Sequence, residues 1–360
     1  MSNEPLVKQS GLKRFFSAFV DPNTYDFWSR QLGSTHAWTR CFARVIARND
    51  EGDSTFTLRL QPNGNFTGFT PGQHVNLTAE IEGRRVTRSY SFSNVPNKDG
   101  WVELTVRRDP SGQMSDWLFN HAHKGAVLEL DGVFGDMTSD TFSGQSLVLL
   151  AGGSGVTPLM SLLREQAALE MPESVTLVYW ERSDSSFCFT KELHDFAERF
   201  DNFKLHTIAT QKNSDKRVSV EQLRSLNVEI ANAQVLACGG GAFVNQAKHC
   251  TETTAAHFQS EAFTARPVAM TNESSKTFTV ELLASKRLIE VSNQHSLLSA
   301  LEEQGVVVQT GCRMGVCNTC SCKKVVGSTR HDDAAEMDSN TNASVRLCVT
   351  RAMSDLQLAI

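Results

Sequence analysis

No apolar run in these 360 residues approaches the roughly 18 that a membrane-crossing helix requires. The opening stretch MSNEPLVKQSGLKRFFSAF lacks the apolar core and small-residue cleavage site of a secretory signal, so a cytoplasmic, thiol-reducing setting is expected. A basic excess is also missing. Lys and Arg number 35 against 40 Asp and Glu, a formal net charge of −5, which excludes a broad field for nucleic acid. There is no long internal repeat. What remains is a composition of ordinary globular type, 40% hydrophobic and 21% charged, in a chain too long for one core. Two or three domains are expected.

The nine cysteines are unevenly spread, with Cys312, Cys317, Cys320 and Cys322 falling within eleven positions. In a reducing compartment such a cluster points to metal before disulfide. The spacing C-x4-C-x2-C over Cys312, Cys317 and Cys320, with Cys348 further on, is that of four thiolates on a plant-type [2Fe–2S] cluster. Three ligands on one tight loop must wrap the cluster, and Gly311 and Gly315 let backbone N–H groups approach its sulfides. Zinc sites usually pair two knuckles, and here the second is missing because Cys348 stands alone. Cys322 is expected to point along a strand.

Upstream, the pattern changes twice. Residues 39–142 carry short alternating runs (FARVIAR, STFTLRLQ, HVNLTAEI, WVELTVRR) between turn clusters, as in an antiparallel barrel. A helix, SDWLFNHA, is expected to begin at Ser115. Residues 143–265 alternate buried strands with helices (SLVLLA, MSLLREQAALE, VTLVYW, FKLHTIAT, AQVLACGG), which implies a parallel sheet. Residues 266–275 read as a linker, and 276–360 as a last domain holding the cysteine loop. Residues 1–38 form a basic, aromatic head, either a helix packed on the next domain or a surface contact with a membrane or partner.

Two segments suggest nucleotide cofactors. In Arg88-Ser89-Tyr90-Ser91-Phe92-Ser93 an aromatic ring can stack on an isoalloxazine, Arg88 can neutralise a phosphate, and Ser91 can bond the flavin N5 region. Gly112-Gln113-Met114-Ser115 opens a helix, where N–H groups and the dipole favour a pyrophosphate. Ser115 reads equally as a plain N-cap. After SLVLLA, the run Gly152-Gly153-Ser154-Gly155-Val156-Thr157-Pro158 is a strand–glycine–helix junction for a second pyrophosphate, without the full three-glycine fingerprint. Cys238-Gly239-Gly240 ends a later strand, where ligands of open parallel sheets sit.

Together these residues resemble the ferredoxin–NADP reductase superfamily, and more narrowly its members with a C-terminal plant-type ferredoxin domain, over residues 39–360. The resemblance implies a flavin barrel, a nucleotide-binding α/β domain and a β-grasp ferredoxin domain. It assigns Arg88, Tyr90 and Ser91 to the flavin motif, Gly112 and Ser115 to its phosphate motif, and FAD as the flavin. Gly152, Gly153, Gly155, Thr157 and Pro158 match the nucleotide loop, and Cys238, Gly239 and Gly240 the C-G-G motif. Glu261 and Phe263 match an E-x-F signature beside the flavin. Pro71-Gly72-Gln73 matches a structural turn. Ser91, Cys238 and Glu261 are the implied catalytic residues.

Cofactor choice turns on Glu181, Arg182 and Ser183. Arg182 and Ser183, with Lys212 or Arg217, suit the 2′-phosphate of NADPH, whereas Glu181 suits the ribose of NADH; NADPH is favoured. Hydride would pass from NAD(P)H to the flavin, and single electrons through the cluster to an acceptor protein. The head, TYDFWSRQLG, resembles reductases of membrane fatty-acid desaturases, which places the chain at the inner face of a membrane. An aromatic-ring or alkane oxygenase is the alternative acceptor, and a redox-sensing flavoprotein the alternative class. The acidic residues Asp332, Asp333, Glu336 and Asp338 suggest steering of a basic partner, or a solvated loop.

Overall fold

The computed structural model describes residues 21–360 except 53, 143–145, 212–216, 264–274, 312, 314, 316–317 and 333–335. Helix α1 (Pro22–Gln31) opens it. Asp21 caps its N-terminus by accepting from Thr24 N–H at 2.8 Å, and Pro22 takes the first position, where no N–H is needed. The helix is inverted. Asp26 is fully buried, while Tyr25, Phe27, Trp28 and Leu32 just beyond it are exposed. Asp26 faces inward because its carboxylate accepts the N–H groups of Trp38, Thr39 (3.0 Å) and Arg40 (3.1 Å) and the Thr39 hydroxyl. Arg30 adds an ion pair to Glu80. The helical part of the head therefore packs on the next domain, and residues 1–20 lie outside the described residues.

Six antiparallel strands follow: β1 (Cys41–Gly52), β2 (Thr55–Pro62), β3 (His74–Ile81), β4 (Arg84–Ser91), β5 (Val102–Arg107) and β6 (Val127–Phe134), in the order β4-β3-β6-β1-β2-β5. A bridge between Phe92 and Leu104 joins the two edges and closes the barrel. Its interior holds Phe56, Leu58, Leu77, Phe92 and Leu104, all fully buried. Helix α2 (Gln113–His121) plugs one end through Met114 and Leu118. It begins two residues before the expected Ser115, because Gly112 has the extended cap conformation and Ser115 already lies in the first turn.

The second sheet is parallel: β7 (Leu147–Gly152), β8 (Val175–Glu181), β9 (Phe203–Ala209), β10 (Gln234–Gly239) and β11 (His257–Ala262), ordered β11-β10-β7-β8-β9. Helices α3 (Val156–Ala168), α4 (Thr190–Arg199), α5 (Val220–Ser225) and α6 (Gly241–Thr251) complete the unit. Separate apolar clusters built on Leu149, Leu159 and Leu177, and on Leu150, Val178 and Val235, make its strands apolar on both faces.

The last unit pairs β12 (Thr277–Leu282) and β13 (Arg287–Ser292) with β14 (Ser321–Val326), β16 (Ala343–Arg346) and β18 (Leu356–Leu358) in one mixed sheet. Strands β15 (Thr329–His331) and β17 (Thr350–Ala352) form a small ribbon. Helix α7 (Leu297–Glu303) sets Leu297, Leu298 and Leu301 on the core, giving the β-grasp arrangement. Among the described residues no helix is long and apolar enough to cross a membrane.

Asp26 carries the attachment of α1. Asp26→Ala leaves part-buried donors without their acceptor and is expected to destabilise the barrel by about 2–3 kcal/mol, since hydrogen bonds to charged groups are worth that much. Urea unfolding followed by tryptophan fluorescence, with faster hydrogen exchange at residues 38–40, checks this.

Candidate functional site

The ends of β4, β5, β7 and β8, with the starts of α2, α3 and α6, enclose a cleft of about 1850 Å³ between the barrel and the parallel sheet. Arg88, Ser89, Tyr90 and Ser91 line its barrel side. The Ser89 hydroxyl donates to Asn76 Oδ1 at 2.6 Å, which fixes the end of β4. The Arg88 guanidinium is held below its ordinary value by burial and then by the positive charge of Arg313, with Tyr90 and Glu302 opposing. Burial raises the Tyr90 hydroxyl, so its ring stands neutral in the wall. Gly112, Gln113, Met114 and Ser115 line the cleft at the start of α2. Ser115 Oγ accepts from Asp109 N–H at 3.1 Å, and a Cβ on Gly112 would meet that hydroxyl at 2.7 Å. The first-turn N–H groups of a helix, a neighbouring guanidinium and an aromatic wall are the donor set a flavin pyrophosphate and ring require, so the residues fit FAD.

Across the cleft, β7 runs into a single 3₁₀ turn, Gly153–Gly155, and then α3. Gly152, Gly153, Ser154 and Thr157 line the cleft, and Thr157 Oγ1 donates to Ser154 O at 3.0 Å. Pro158 is buried in the first turn of α3. The glycines are demanded by close backbone approach. A Cβ on Gly155 would lie 2.0 Å from Cys238 O, and one on Gly239 would lie 2.8 Å from Gly152 O. Gly153 has φ +61° and sits under Arg107. Gly240 lines the cleft at the N-cap of α6.

The three expected catalytic residues arrive from three strands. Ser91 ends β4, is buried and lines the cleft. Cys238 on β10 is the register partner of Glu261 on β11. Burial, then the Glu261 charge, pushes the Cys238 thiol well up, and the thiol donates to Met137 Sδ at 3.6 Å. Phe263 follows Glu261 and reaches the cleft lining. A fourth residue joins them that sequence reasoning missed. His74, 2% exposed, stands opposite Ser91 in the β3–β4 register, with Nδ1 at 2.7 Å from Glu261 Oε1. Its signal was its place directly after Pro71-Gly72-Gln73, a turn read as structural alone. That turn is indeed tight: Gly72 has φ +92°, and a Cβ there would meet Met137 O at 2.0 Å.

At the outer end, Glu181 is not free for a ribose. Its carboxylate, 1% exposed, is ion-paired with Arg107 and accepts from the Tyr179 hydroxyl at 3.2 Å. Burial alone would lower the Arg107 guanidinium, but the Glu181 hydrogen bond and charge carry it up. Arg182 and Arg217 line the cleft beside it. The Ser183 hydroxyl is bonded to those of Ser185 and Ser186, and Lys212 lies outside the described residues.

In the last unit, Cys320 and Cys348 are buried against α7. Gly315 N–H donates to Cys348 Sγ at 3.2 Å, and Arg346 holds the Gly315 carbonyl. A backbone N–H donated to a cysteine sulfur is how a cluster thiolate is stabilised, and the residues fit [2Fe–2S]. Cys312 and Cys317 lie outside the described residues. Cys322 is half-buried on β14, its thiol pushed up to about 12 by burial and by Cys320. In the acidic loop, Asp332 pairs with Arg351 at 2.6 Å and Asp338 with buried Lys324 at 3.3 Å. Both charges are paired within the fold, Glu336 is exposed, and Asp333 lies outside the described residues.

Three family models match the chain: the oxidoreductase FAD-binding domain over residues 43–138, the oxidoreductase NAD-binding domain over 149–249, and the 2Fe-2S iron-sulfur cluster binding domain over 280–353. The chain belongs to the ferredoxin–NADP reductase superfamily. Within it, this protein is a reductase that carries electrons from NAD(P)H through FAD to a [2Fe–2S] cluster. It is 27% identical over 336 residues to the glycine betaine monooxygenase reductase subunit of Pseudomonas aeruginosa, covering 86% of this chain and 90% of that one. It is 26% identical over 323 residues to an NADPH oxidoreductase of Mycobacterium tuberculosis, covering 88% and 83%. Phthalate dioxygenase reductase shares its fold, with a TM-score of 0.59 at 24% identity over 89% of this chain and 97% of that one.

Gly155→Ala drives a methyl into the Cys238 carbonyl, and at least part of the loop must move. Flavin bleaching by NADPH in a stopped-flow experiment is expected to slow about a hundredfold. Dithionite reduction of the same flavin, which needs no nucleotide site, should be unchanged.

Proposed function

We propose that this reductase takes hydride from NADPH and delivers single electrons to the terminal component of an oxygenase. The observation that carries the nucleotide preference is the engagement of Glu181. With its carboxylate bound to Arg107 and Tyr179, Glu181 is engaged, while the cations Arg182 and Arg217 line the cleft. Arginine beside a phosphate gives charge-assisted, directional hydrogen bonds. The name of the mycobacterial relative agrees with this choice. The acceptor class rests on the relatives. The glycine betaine and phthalate systems are both oxygenases, whereas the desaturase expectation rests on the short head resemblance. One structural observation keeps a membrane-seated acceptor as a second reading: α1 and the residue after it present Phe27, Trp28 and Leu32 outward.

FAD supplies the step from a two-electron donor to one-electron transfer. The chain's contribution is position and exclusion of water. Arg88 and the first turn of α2 hold the flavin phosphates, and the wall at Tyr90 and Ser91 sets the ring. The glycine loop and the start of α3 hold the nucleotide pyrophosphate. Ser91, Cys238 and Glu261 orient the stack where hydride crosses, Cys238 as a neutral thiol. Cys312, Cys317, Cys320 and Cys348 would hold the cluster.

Anaerobic mixing with NADPH, then with NADH, tests the path. Flavin bleaching with a rhombic electron-spin-resonance signal of reduced cluster is expected, faster with NADPH. Bleaching without that signal would reduce the protein to a diaphorase. Arg182→Ala with Arg217→Ala is expected to weaken NADPH binding about tenfold or more while leaving NADH within about threefold, given roughly 1.5–3 kcal/mol per charged hydrogen bond. Equal losses for both nucleotides would overturn the preference.

A further inference from the structure

The His74–Glu261 pair links the barrel to the parallel sheet. His74 belongs to β3 of the barrel and Glu261 to β11 of the parallel sheet, and the 2.7 Å contact between Nδ1 and Oε1 crosses from one domain to the other. His74 is 2% exposed and the Glu261 side chain 11%. Glu261 Oε2 and both ring nitrogens of His74 are buried and make no aligned hydrogen bond, so the Nδ1–Oε1 approach is a close contact and not an aligned hydrogen bond. A buried carboxylate with only one oxygen engaged is an unusual expense, because an unsatisfied charged acceptor keeps its full desolvation cost. Such groups are retained where another partner arrives. The surroundings show where that is. Ser91, opposite His74 in the ladder, lines the cleft, and Phe263, two residues past Glu261, lines it too. Cys238 faces Glu261 from β10, and β6 packs against the imidazole through Phe134, with ring centroids 6.0 Å apart.

We propose that His74 is a positioning residue for hydride transfer. By its close contact with Glu261 Oε1 it confines the carboxylate to one orientation, so that Oε2 is presented to the flavin–nicotinamide junction, and it sets β11 against the barrel that carries Ser91. The inference rests on the reading of Ser91, Cys238 and Glu261 as the hydride-transfer residues. The partner of Oε2 is a hydrogen-bond donor of the bound nicotinamide or flavin, such as a carboxamide N–H₂. His74 itself touches no substrate.

The test uses the full-length holoprotein with H74L, which removes the donor, and H74Q, which keeps one. H74L is expected to slow single-turnover flavin bleaching by NADPH roughly tenfold or more, with less than about threefold change in the NADPH concentration giving half the maximal rate, as loss of orientation rather than binding demands. The long-wavelength charge-transfer absorbance of stacked nicotinamide and flavin should weaken in H74L and return in H74Q. In an E261Q background H74L should add no further slowing, because the two side chains act as one unit. If H74L fails to hold FAD, folded H74Q carries the test: near-normal rate and charge-transfer band support the proposal. Wild-type rate in H74L, a slow but folded H74Q, or multiplicative slowing in the double variant would each overturn it. A wild-type protein that NADPH does not bleach would instead sink the reductase reading beneath it.

Discussion

The structure depends on one contact between backbones, that of Gly155 with the carbonyl of Cys238. At this point the loop after β7 lies against the end of β10 so closely that a methyl group would sit 2.0 Å from the oxygen. The approach sets three things together. It aims the start of α3 at the cleft, it fixes Cys238 at the strand end, and through the β10–β11 register it fixes Glu261 beside Cys238. The barrel reaches the same point from its own side, because the Gly72 turn rests on Met137 and Met137 receives the Cys238 thiol.

Arginines then hold the two units as one site. Arg107, at the end of β5, pairs with buried Glu181 at the end of β8 and overlies Gly153. Arg164 on α3 donates to the Ser93 carbonyl at 2.7 Å and to Glu103 and Glu192 at 3.2 and 2.7 Å, while Ser161 donates to the Asn94 carbonyl at 2.6 Å. Planar guanidinium groups suit such multiple, partly buried pairings better than ammonium groups do. The residues that follow the flavin segment, Ser93 and Asn94, thus serve as the seat of the nucleotide domain.

Much of this was legible in the sequence because periodicity and glycine placement report local geometry. VTLVYW runs apolar and is buried almost throughout, whereas HVNLTAEI alternates in sequence yet is buried at all but Glu80, because its polar side chains are covered too. The loop Gly152–Pro158 was legible because glycines appear where backbones meet. What stayed hidden was long-range pairing. Nothing local marks Arg107 as the partner of Glu181 at a separation of 74 residues, so Glu181 read as a ribose acid. His74 was hidden for the same reason, its partner lying in another domain. The start of α2 was misplaced because Ser115 has the composition of a cap, whereas Gly112 has the geometry of one.

The Gly315 N–H on Cys348 sulfur has a consequence for the energy of the electron that the cluster accepts. With Cys348 as a ligand, a fixed N–H dipole would stabilise the added negative charge of a reduced cluster and so favour a higher potential. The dipole cannot easily be retuned. Gly315 has φ +77°, and a Cβ there would meet Val349 at 2.7 Å, so only glycine places the donor where it is. One contribution to the potential of a bound cluster would thereby be written into backbone rather than side chain, and a change of side chain elsewhere on the loop would leave that donor in place.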